Sequence, residues 1–336
     1  MASPEKGRAV VTTLGTDARL AIVGSGYMGG GMAQIFAICG FHCTLGDVSA
    51  DHAQASLERI IAEAQAFEDQ GLFPSASTAA VRARVSAAPS IEDAVHGARY
   101  VAEAVPEQRD IKAAALTRIS AACPPDAIIA TNTSAMPIGE LAEYVQRAER
   151  FLGVHWMNPA PFVPGVEIIP ASGTADDVVD TAEALMLACG KSPARVSDQA
   201  GFVANRLQYA LFHEAARMVD EGSASPAQID AVVSNSFGFR LPFFGPFATA
   251  DMAGLDVYVG AYESFHAAYG DRFQPPALLT ERVAAGDLGL KSGGGFTGMD
   301  ATRLAEIVEY RNRAYTLLKR MRDELGPVPG SASSAQ

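Results

Sequence analysis

Cysteine is scarce in this sequence, with four residues among 336. Four cysteines are too few for a disulfide framework in a chain of this length, which indicates a reducing compartment and makes the cytoplasm the expected location. Long apolar runs are also missing. No run reaches the roughly 18 residues that a membrane span needs, and residues 1–17 lack the apolar segment of a secretory signal. We therefore expect no membrane association, and we interpret residues 1–17 as a disordered leader.

Positive charge is in short supply as well. The chain carries 26 Lys and Arg against 38 Asp and Glu, a formal net charge of −12. Binding to a phosphate backbone needs Lys and Arg clustered on one face, so we expect no nucleic-acid partner. Hydrophobic residues make up 49% of the chain and charged residues 19%, which excludes a disordered protein. The length exceeds what one core usually supports and predicts two domains.

Short apolar runs alternate with helical stretches over residues 18–198. The run from Leu20 to Val23 leads into a glycine turn and then into an apolar helical stretch that ends near Cys39. Strands are predicted there and at residues 41–45, 84–87, 99–105, 127–131, 151–156 and 166–169. This alternation predicts an α/β fold with a Rossmann-type, doubly wound and mostly parallel sheet.

The strand pattern stops after Asp198. Residues 201–221 predict a long helix, and Ser225, Pro226 and Gln228 have the spacing of a capping box with proline at the first helical position. We therefore predict an all-α C-terminal domain over residues 199–298. A charged amphipathic helix and a flexible tail are expected in residues 299–336.

The glycine turn has the spacing of a dinucleotide-binding loop. Gly24 permits the tight turn, Gly26 lets the backbone approach a pyrophosphate, and Gly29 allows close packing of the following helix. Asp47 ends the second strand, where a carboxylate accepts a hydrogen bond from a ribose 2′-hydroxyl and repels a 2′-phosphate. The pattern predicts NAD rather than NADP as the cofactor.

His155 and Glu167 form a candidate acid–base pair. His155 ends an apolar strand, at the carboxyl edge where open α/β sheets bind ligands, and Glu167 lies on the next predicted strand. A histidine that accepts a hydroxyl proton needs a carboxylate to fix its tautomer. Oxidation of an alcohol by such a pair is expected to slow at low pH, where the imidazole is already protonated. We expect no metal.

Five motifs follow one another in a fixed order: GSGYMGGG at residues 24–31, EAVPE at 103–107, TNTS at 131–134, GVHWMNP at 153–159 and GFVANR at 201–206. In order and spacing they resemble the 3-hydroxyacyl-CoA dehydrogenase family, over roughly residues 19–296. The resemblance implies an NAD-dependent oxidoreductase that acts on the alcohol of a 3-hydroxyacyl substrate, and a homodimer formed through the helical domain.

The resemblance also implies roles for single residues. His155 matches the general base and Glu167 its partner, while Ser134 and Asn205 match the polar residues that hold the substrate oxygen. The implied cofactor-binding positions are Gly24, Gly26, Tyr27, Met28, Gly29, Asp47, Glu107, Lys112, Asn132 and Ser134. A non-catalytic protein on the same fold, as in crystallin relatives, is the alternative from another functional class.

Two departures from the family pattern leave the substrate open. Family members that act on coenzyme A thioesters have basic residues on the helix after the second strand, whereas residues 51–74 carry five acids and the single base Arg59. The segment GFRLPFFGP at residues 238–246 resembles members that act on free hydroxy acids, such as L-gulonate, carnitine and pyridine-carboxylate dehydrogenases. Arg240 is thus either an anchor for a substrate carboxylate or a surface arginine. Stereochemistry and direction are not encoded in these patterns.

Overall fold

The computed structural model describes residues 14–15 and 18–329. The described residues form two compact units, divided between Phe212 and His213. The predicted leader lies outside the described residues except for Leu14 and Gly15, and Leu14 is buried in the core of the first unit. Residues 330–336 of the predicted tail lie outside them as well. Within the described part of the chain, no helix is both long and apolar enough to cross a membrane.

Eight strands form one sheet in the first unit, in the spatial order β3-β2-β1-β4-β5-β6-β7-β8. Every neighbouring pair is parallel except β6 and β7. This sheet confirms the predicted Rossmann-type α/β fold. The strands are β1 Arg19–Val23, β2 His42–Gly46, β3 Val85–Ala87, β4 Tyr100–Glu103, β5 Ile128–Thr131, β6 Phe151–Trp156, β7 Gly165–Pro170 and β8 Ser192–Arg195.

Helices and connecting segments cover both faces of the sheet. Because successive residues of a strand point to opposite faces, Leu20 and Ile22 enter one apolar cluster while Ala21 and Val23 enter the other. The helices of this unit before residue 200 are α1 Tyr27–Ile38, α2 Ala50–Asp69, α3 Ser77–Arg84, α4 Ile91–Val95, α5 Arg109–Ala122, α6 Ile138–Ala142 and α7 Asp176–Ala188.

The glycines of the first turn differ in what surrounds them. Gly24 has φ +92°, and a Cβ there would lie 2.6 Å from the carbonyl carbon of Ala104. A Cβ on Gly29 would overlap the carbonyl oxygen of Gly24 and lie 2.9 Å from the Cγ2 atom of Ile22. At Gly26, by contrast, no described atom lies within 4 Å of the Cβ position. Two glycines therefore serve the packing of α1 on the sheet, and Gly26 leaves open space.

The one antiparallel pairing places two candidate residues opposite each other. Strands β6 and β7 pair in a register that sets His155 directly across from Glu167. Directly opposed residues of an antiparallel pair have side chains on the same face, with their Cβ atoms about 5 Å apart. A parallel pairing was the general expectation for this sheet, and the reversal at β7 is what brings these two side chains together.

Helix α8, Ala204–Asp220, crosses from the first unit into the second. It begins three residues later than predicted because Gly201 and Phe202 have left-handed backbone conformations, with φ +75° and +49°. The other helices of the second unit are α9 Pro226–Asn235, α10 Phe237–Arg240, α11 Pro246–Ala253, α12 Leu255–Tyr269, α13 Ala277–Ala284 and α14 Leu304–Leu325. The helical character confirms the predicted all-α C-terminal part.

The structure contains the capping box that the sequence predicts in the second unit. Ser225 and Gln228 form the predicted capping box of α9, with Pro226 in its first turn. Asp251 is a buried carboxylate that accepts hydrogen bonds from the backbone amides of Phe296 and Thr297. It thereby holds in place the segment that follows the glycines at residues 293–295. The C-terminal helix α14 begins at Leu304, a few residues after the predicted start.

Gly29→Ala is expected to lower the free energy of unfolding by at least about 1–3 kcal/mol, since the new methyl group must displace the backbone of Gly24. Gly26→Ala is the matched control in the same turn. Its backbone has φ −61° and its Cβ position is open, so its stability should stay within about 0.5 kcal/mol of the original chain. Urea unfolding measures both; equal losses would contradict the assignment of Gly29 to packing.

Candidate active site

His155 and Glu167 are in direct contact. The Nδ1 atom of His155 lies 2.8 Å from the Oε2 atom of Glu167, and both side chains are buried. Because the carboxylate is an acceptor, Nδ1 is the donor in this bond, and the neutral imidazole keeps its lone pair on Nε2. The pair thus presents a proton acceptor whose tautomer is fixed by its partner.

The second oxygen of Glu167 binds the beginning of helix α8. Its Oε1 atom accepts hydrogen bonds from the backbone amides of Val203 and Ala204, each at 2.9 Å. Burial acts to raise the pKa of Glu167, but the hydrogen bonds from His155, Ala204 and Val203 outweigh it, so the pKa is lowered overall. The carboxylate therefore stays ionised beside the imidazole.

The left-handed Phe202 sets the geometry of this helix start. A non-glycine residue in that conformation costs about 1–2 kcal/mol, and burial of the ring offsets the cost. The Phe202 side chain is 3% exposed, and its ring centroid lies 5.7 Å from that of His155. The same residue thus turns the chain toward Glu167 and packs against the imidazole.

Asn205 and Ser134 meet next to this pair. The Nδ2 atom of Asn205 donates to the backbone carbonyl of Ser134 at 2.8 Å. The Ser134 hydroxyl has no hydrogen-bond partner among residues 14–15 and 18–329. Asn205 follows Ala204 directly, so an unbroken path of contacts runs from His155 through Glu167 and the start of α8 to Ser134. The structure brings the four candidate catalytic residues together.

The turn after β5 is held from two sides. The Oδ1 atom of Asn132 accepts from the backbone amide of Trp156 at 2.8 Å, which ties this turn to the end of β6. Glu107 accepts from the Thr133 hydroxyl at 2.5 Å and from the Ser134 amide at 2.9 Å. Burial acts to raise the pKa of Glu107, but the Thr133 hydrogen bond, the charge of Lys112 and two backbone amides lower it overall. Asn132 and Glu107 therefore position the Ser134 backbone.

Lys112, a predicted cofactor-binding residue, is buried and paired with two carboxylates. Its side chain is 1% exposed, and its Nζ atom lies 2.9 Å from Glu103 and 3.3 Å from Glu107. Glu103 also accepts from the hydroxyl of Thr131. A buried charge requires such partners, and this network ties Glu107 to strands β4 and β5. Lys112 thus contacts Glu107 directly and supports the TNTS turn through it.

The glycine turn and Asp47 fit a dinucleotide. Within the described residues, no side chain caps the N-terminus of α1 at Gly26, where backbone amides and the helix dipole favour a phosphate. Tyr27 and Met28 open this helix, and the Tyr27 side chain is 61% exposed. The Oδ2 atom of Asp47 accepts from the amide and hydroxyl of Ser25, at 2.8 and 2.5 Å. Burial acts to raise the pKa of Asp47, but these bonds and those of neighbouring groups lower it, so the carboxylate is charged and held in place.

Arg59 contacts the same turn from helix α2. Its guanidinium donates to the backbone carbonyls of Ser25 and Gly26, at 2.8 and 3.3 Å, and pairs with Glu63 at 2.8 Å. Arg59, the single base of residues 51–74, is therefore already bound to groups of the protein itself. Glu68 of the same helix accepts from two backbone amides at the start of α3, so part of the segment's negative charge is structural.

Arg240 belongs to the other unit. It ends helix α10, is exposed, and makes no ion pair within the described part of the chain. A search of those residues also finds no group of His, Cys, Asp and Glu side chains that could hold a metal ion.

Sequence reasoning missed several groups that shape the site. Ser25 could have been found, because it lies inside the glycine motif next to the predicted phosphate site. The amides of Val203 and Ala204 carry no signal in their side chains, and the contact of Arg59 with the glycine turn depends on how α2 packs. Glu103 is part of the EAVPE motif at residues 103–107, but the motif does not predict its ion pair with Lys112.

Two family models match consecutive parts of this chain. Residues 19–199 match the family model of the 3-hydroxyacyl-CoA dehydrogenase NAD binding domain, and residues 201–298 match that of its C-terminal domain. A probable 3-hydroxybutyryl-CoA dehydrogenase of Bacillus subtilis is 36% identical over 279 residues, which cover 83% of this chain and 96% of the relative.

Two further proteins show the range of the similarity. The 5-formyl-3-hydroxy-2-methylpyridine 4-carboxylate 5-dehydrogenase of Mesorhizobium japonicum is 35% identical over 308 residues, 90% of this chain and 97% of that protein. The crystal structure of an (S)-3-hydroxybutyryl-CoA dehydrogenase from Ralstonia eutropha superposes with a TM-score of 0.63 at 35% identity, covering 83% of this chain and 98% of that one. The chain therefore belongs to the 3-hydroxyacyl-CoA dehydrogenase family and is an NAD-dependent dehydrogenase that acts on a CH–OH group.

Proposed function

We propose that His155 is the general base of the reaction and Glu167 its partner, and that Ser134 and Asn205 hold the substrate oxygen. The proposal rests on one observation: Glu167 binds Nδ1 of His155 with one oxygen and the start of helix α8 with the other. This arrangement leaves Nε2 as the basic atom and fixes the direction in which it points.

The chemistry follows from these positions. When the alcohol is oxidised, its hydroxyl proton moves to Nε2 of His155, and the charged Glu167 stabilises the resulting imidazolium. The Ser134 hydroxyl and the Asn205 amide donate hydrogen bonds to the substrate oxygen, and so stabilise negative charge on it. The glycine turn and Asp47 would hold NAD, which would supply the acceptor for the hydride of the carbinol carbon. Reduction of the ketone follows the same path in reverse.

A 3-hydroxyacyl thioester is the first candidate substrate class. The relatives from Bacillus subtilis and Ralstonia eutropha carry names that state such a substrate. A free hydroxy carboxylate is the second candidate. Arg59 is the only base in residues 51–74 and is already bound to the glycine turn and Glu63, so this segment offers no cation to a coenzyme A phosphate. Arg240 is the residue we assign to a substrate carboxylate in that case.

We also propose that the protein is a cytoplasmic homodimer. Helix α8 has no buried side chain among its residues, and it presents apolar side chains on its surface, Leu207 at 57% and Leu211 at 43% exposure among them. These two lie one helical turn apart and therefore on one face. Exposed apolar faces of this kind are covered when subunits associate.

Substrate class is tested by NADH formation with the purified protein, comparing L-3-hydroxybutyryl-CoA with L-gulonate, carnitine and 3-hydroxybutyrate. We expect turnover of at least one of them, and a fall in kcat of about 100- to 10,000-fold for His155→Ala, since the base is removed. The variant should bind NAD as before, because His155 lies apart from the glycine turn in sequence and contacts. Near-normal turnover by His155→Ala would refute the assignment.

Glu167→Gln is expected to lower kcat by about 100-fold or more, because an amide neither stabilises the imidazolium nor fixes the tautomer of His155. The lowered pKa of Glu167 also predicts a pH effect on stability. The stabilisation by its charge is present above the pKa of an unfolded Glu, about 4.3, and is lost as the pH falls through the folded pKa.

The stability difference between the original chain and Glu167→Gln should therefore shrink as the pH falls from about 4.5 to 3.5. Urea unfolding between pH 3.5 and 7 measures it. Glu143→Gln is the control, because Glu143 is exposed. A difference that does not shrink below about pH 4.5 would contradict the charged state that we assign to Glu167.

The homodimer is tested by sedimentation equilibrium. We expect twice the chain mass of 35.2 kDa for the original protein. Leu211→Glu should shift the equilibrium toward the monomer, since it puts a charge into the apolar face, whereas His213→Glu, on an exposed position about 160° round the helix, should not. A monomeric original chain would rule out the dimer.

A further inference from the structure

Lys191 is a buried lysine that none of the assigned roles uses. It directly precedes strand β8 and is 6% exposed. A buried ammonium is normally paired with a carboxylate, because burial removes the water that stabilises its charge. Lys112, which is also buried, has two such partners. Within residues 18–329, no carboxylate pairs with Lys191.

The Nζ atom of Lys191 binds the loop that joins β6 to β7, residues 157–164. It donates to the backbone carbonyls of Ala160 at 2.5 Å and of Val163 at 2.8 Å. Three of the eight residues of this loop are prolines, which have no amide hydrogen to donate. Because a buried carbonyl without a donor is costly, Lys191 supplies donors that the backbone of the loop lacks.

The 157–164 loop also packs against helix α1. A Cβ on Gly31 would lie 2.8 Å from the Cδ atom of Pro161 and 3.1 Å from the Cβ atom of Ala160, so helix and loop are in close contact. Helix α1 begins at the glycine turn that fits a dinucleotide. The amide of Ser192, the first residue of β8, donates to the carbonyl of Pro164 at 2.8 Å. Helix α1, Lys191 and the start of β8 thus hold the loop together.

Lys191 also contacts the residue that follows His155. Its Nζ atom lies 5.0 Å from the centre of the Trp156 ring, a distance at which a cation is attracted to an indole. Trp156 is 2% exposed, and its backbone amide donates to Asn132. Because successive residues of a strand point to opposite faces, Lys191 contacts the end of β6 from the face opposite the imidazole.

The charge of Lys191 is costly where it lies. Burial is the largest influence on the pKa of Lys191 and lowers it below its ordinary value. A methionine of similar length would avoid this cost. The contacts that offset it are the two loop carbonyls and the indole of Trp156, and all three belong to the chain around the end of β6.

We propose that Lys191 is a positioning residue of the dehydrogenase: its Nζ atom fixes the 157–164 loop and Trp156, and so sets the position of His155 relative to helix α1. The loop connects the strand of His155 to that of Glu167, so a displaced loop moves both members of the pair. A misplacement of about 1 Å, even from a change away from the chemistry, costs about 100-fold in rate. The inference rests on the proposed function in taking His155 as the base.

The fluorescence of Trp156 tests the contact without turnover. Trp156 is the only tryptophan in the sequence, so the emission of the full chain reports on this one position. We expect Lys191→Met to shift the emission maximum to longer wavelength, because a loop that is no longer held admits water to the indole. Lys319→Met, on an exposed position of α14, is the control and should leave the spectrum unchanged. An unchanged spectrum in Lys191→Met would contradict the proposal.

Kinetics separate positioning from binding. With a substrate that is turned over, Lys191→Met should lower kcat by about 10- to 100-fold, because the base is displaced. The KM for NAD should change less than about threefold, since the glycine turn and Asp47 keep their own contacts. Lys191→Arg should recover part of kcat, because it restores the charge and the donors.

A general loss of stability is excluded by a variant elsewhere in the same apolar cluster. Val81→Ala shortens a fully buried side chain of α3 and should lower the urea midpoint with kcat unchanged. A fall in kcat as large as that of Lys191→Met would assign the effect to stability and refute the positioning role. So would a kcat of Lys191→Met within about threefold of the original.

A milder variant keeps the proposal testable if Lys191→Met does not fold. Lys191→Gln keeps an amide donor for one carbonyl but has no charge, so its emission maximum should still move to longer wavelength and its kcat should still fall, by about 10-fold. An original spectrum and an original kcat in Lys191→Gln would contradict the proposal.

The two proposals fail in different ways. If His155→Ala keeps near-normal turnover while Lys191→Met shifts the emission and lowers kcat, the assignment of the base fails and the hold of Lys191 on the loop stands. If His155→Ala loses its activity while Lys191→Met keeps the original spectrum and kcat, the proposed function stands and the role of Lys191 is wrong.

Discussion

The carboxylate of Glu167 is the contact on which the arrangement of the site depends. One oxygen fixes the tautomer of His155, and the other binds the backbone amides of Val203 and Ala204 at the start of α8. A buried carboxylate without such donors would be raised in pKa and lose its charge. The amides keep it charged beside the imidazole. In the mechanism that we propose, the start of α8 therefore supports catalysis through Glu167, a side chain on strand β7.

This contact also explains why the remaining polar residues lie where they do. Asn205 directly follows Ala204, whose backbone amide Glu167 binds. Glu167 therefore also helps to position Asn205, whose side-chain amide donates to the backbone carbonyl of Ser134. Glu107 binds the same turn from the other side, and buried Lys112 ties Glu107 to the sheet. A partly satisfied polar network would be costly in a buried setting, whereas this one has partners along its length. Rigid strands thus position a reactive group through consecutive hydrogen bonds.

Much of the fold was predictable because it depends on local pattern. Short apolar runs predicted β1 and β4, and the glycine spacing predicted the turn in which Gly24 adopts a positive φ. The antiparallel reversal at β7 was not predictable, since it depends on the return path of the chain between Trp156 and Gly165. The start of α8 was placed too early because no propensity indicates that Phe202 takes a left-handed conformation. Its burial against the core overrides the local preference.

The surroundings of the arginines differ between the two units. In the first unit, Arg59 satisfies the carbonyls of the glycine turn, and its pairing with Glu63 leaves no net positive charge beside that turn. The helical unit has the opposite balance at one cavity, where Arg240 and Arg311 lie without a carboxylate. Arginines without a carboxylate partner attract anions over distances near the Debye length of about 8–10 Å, whereas an arginine neutralised by a carboxylate does not.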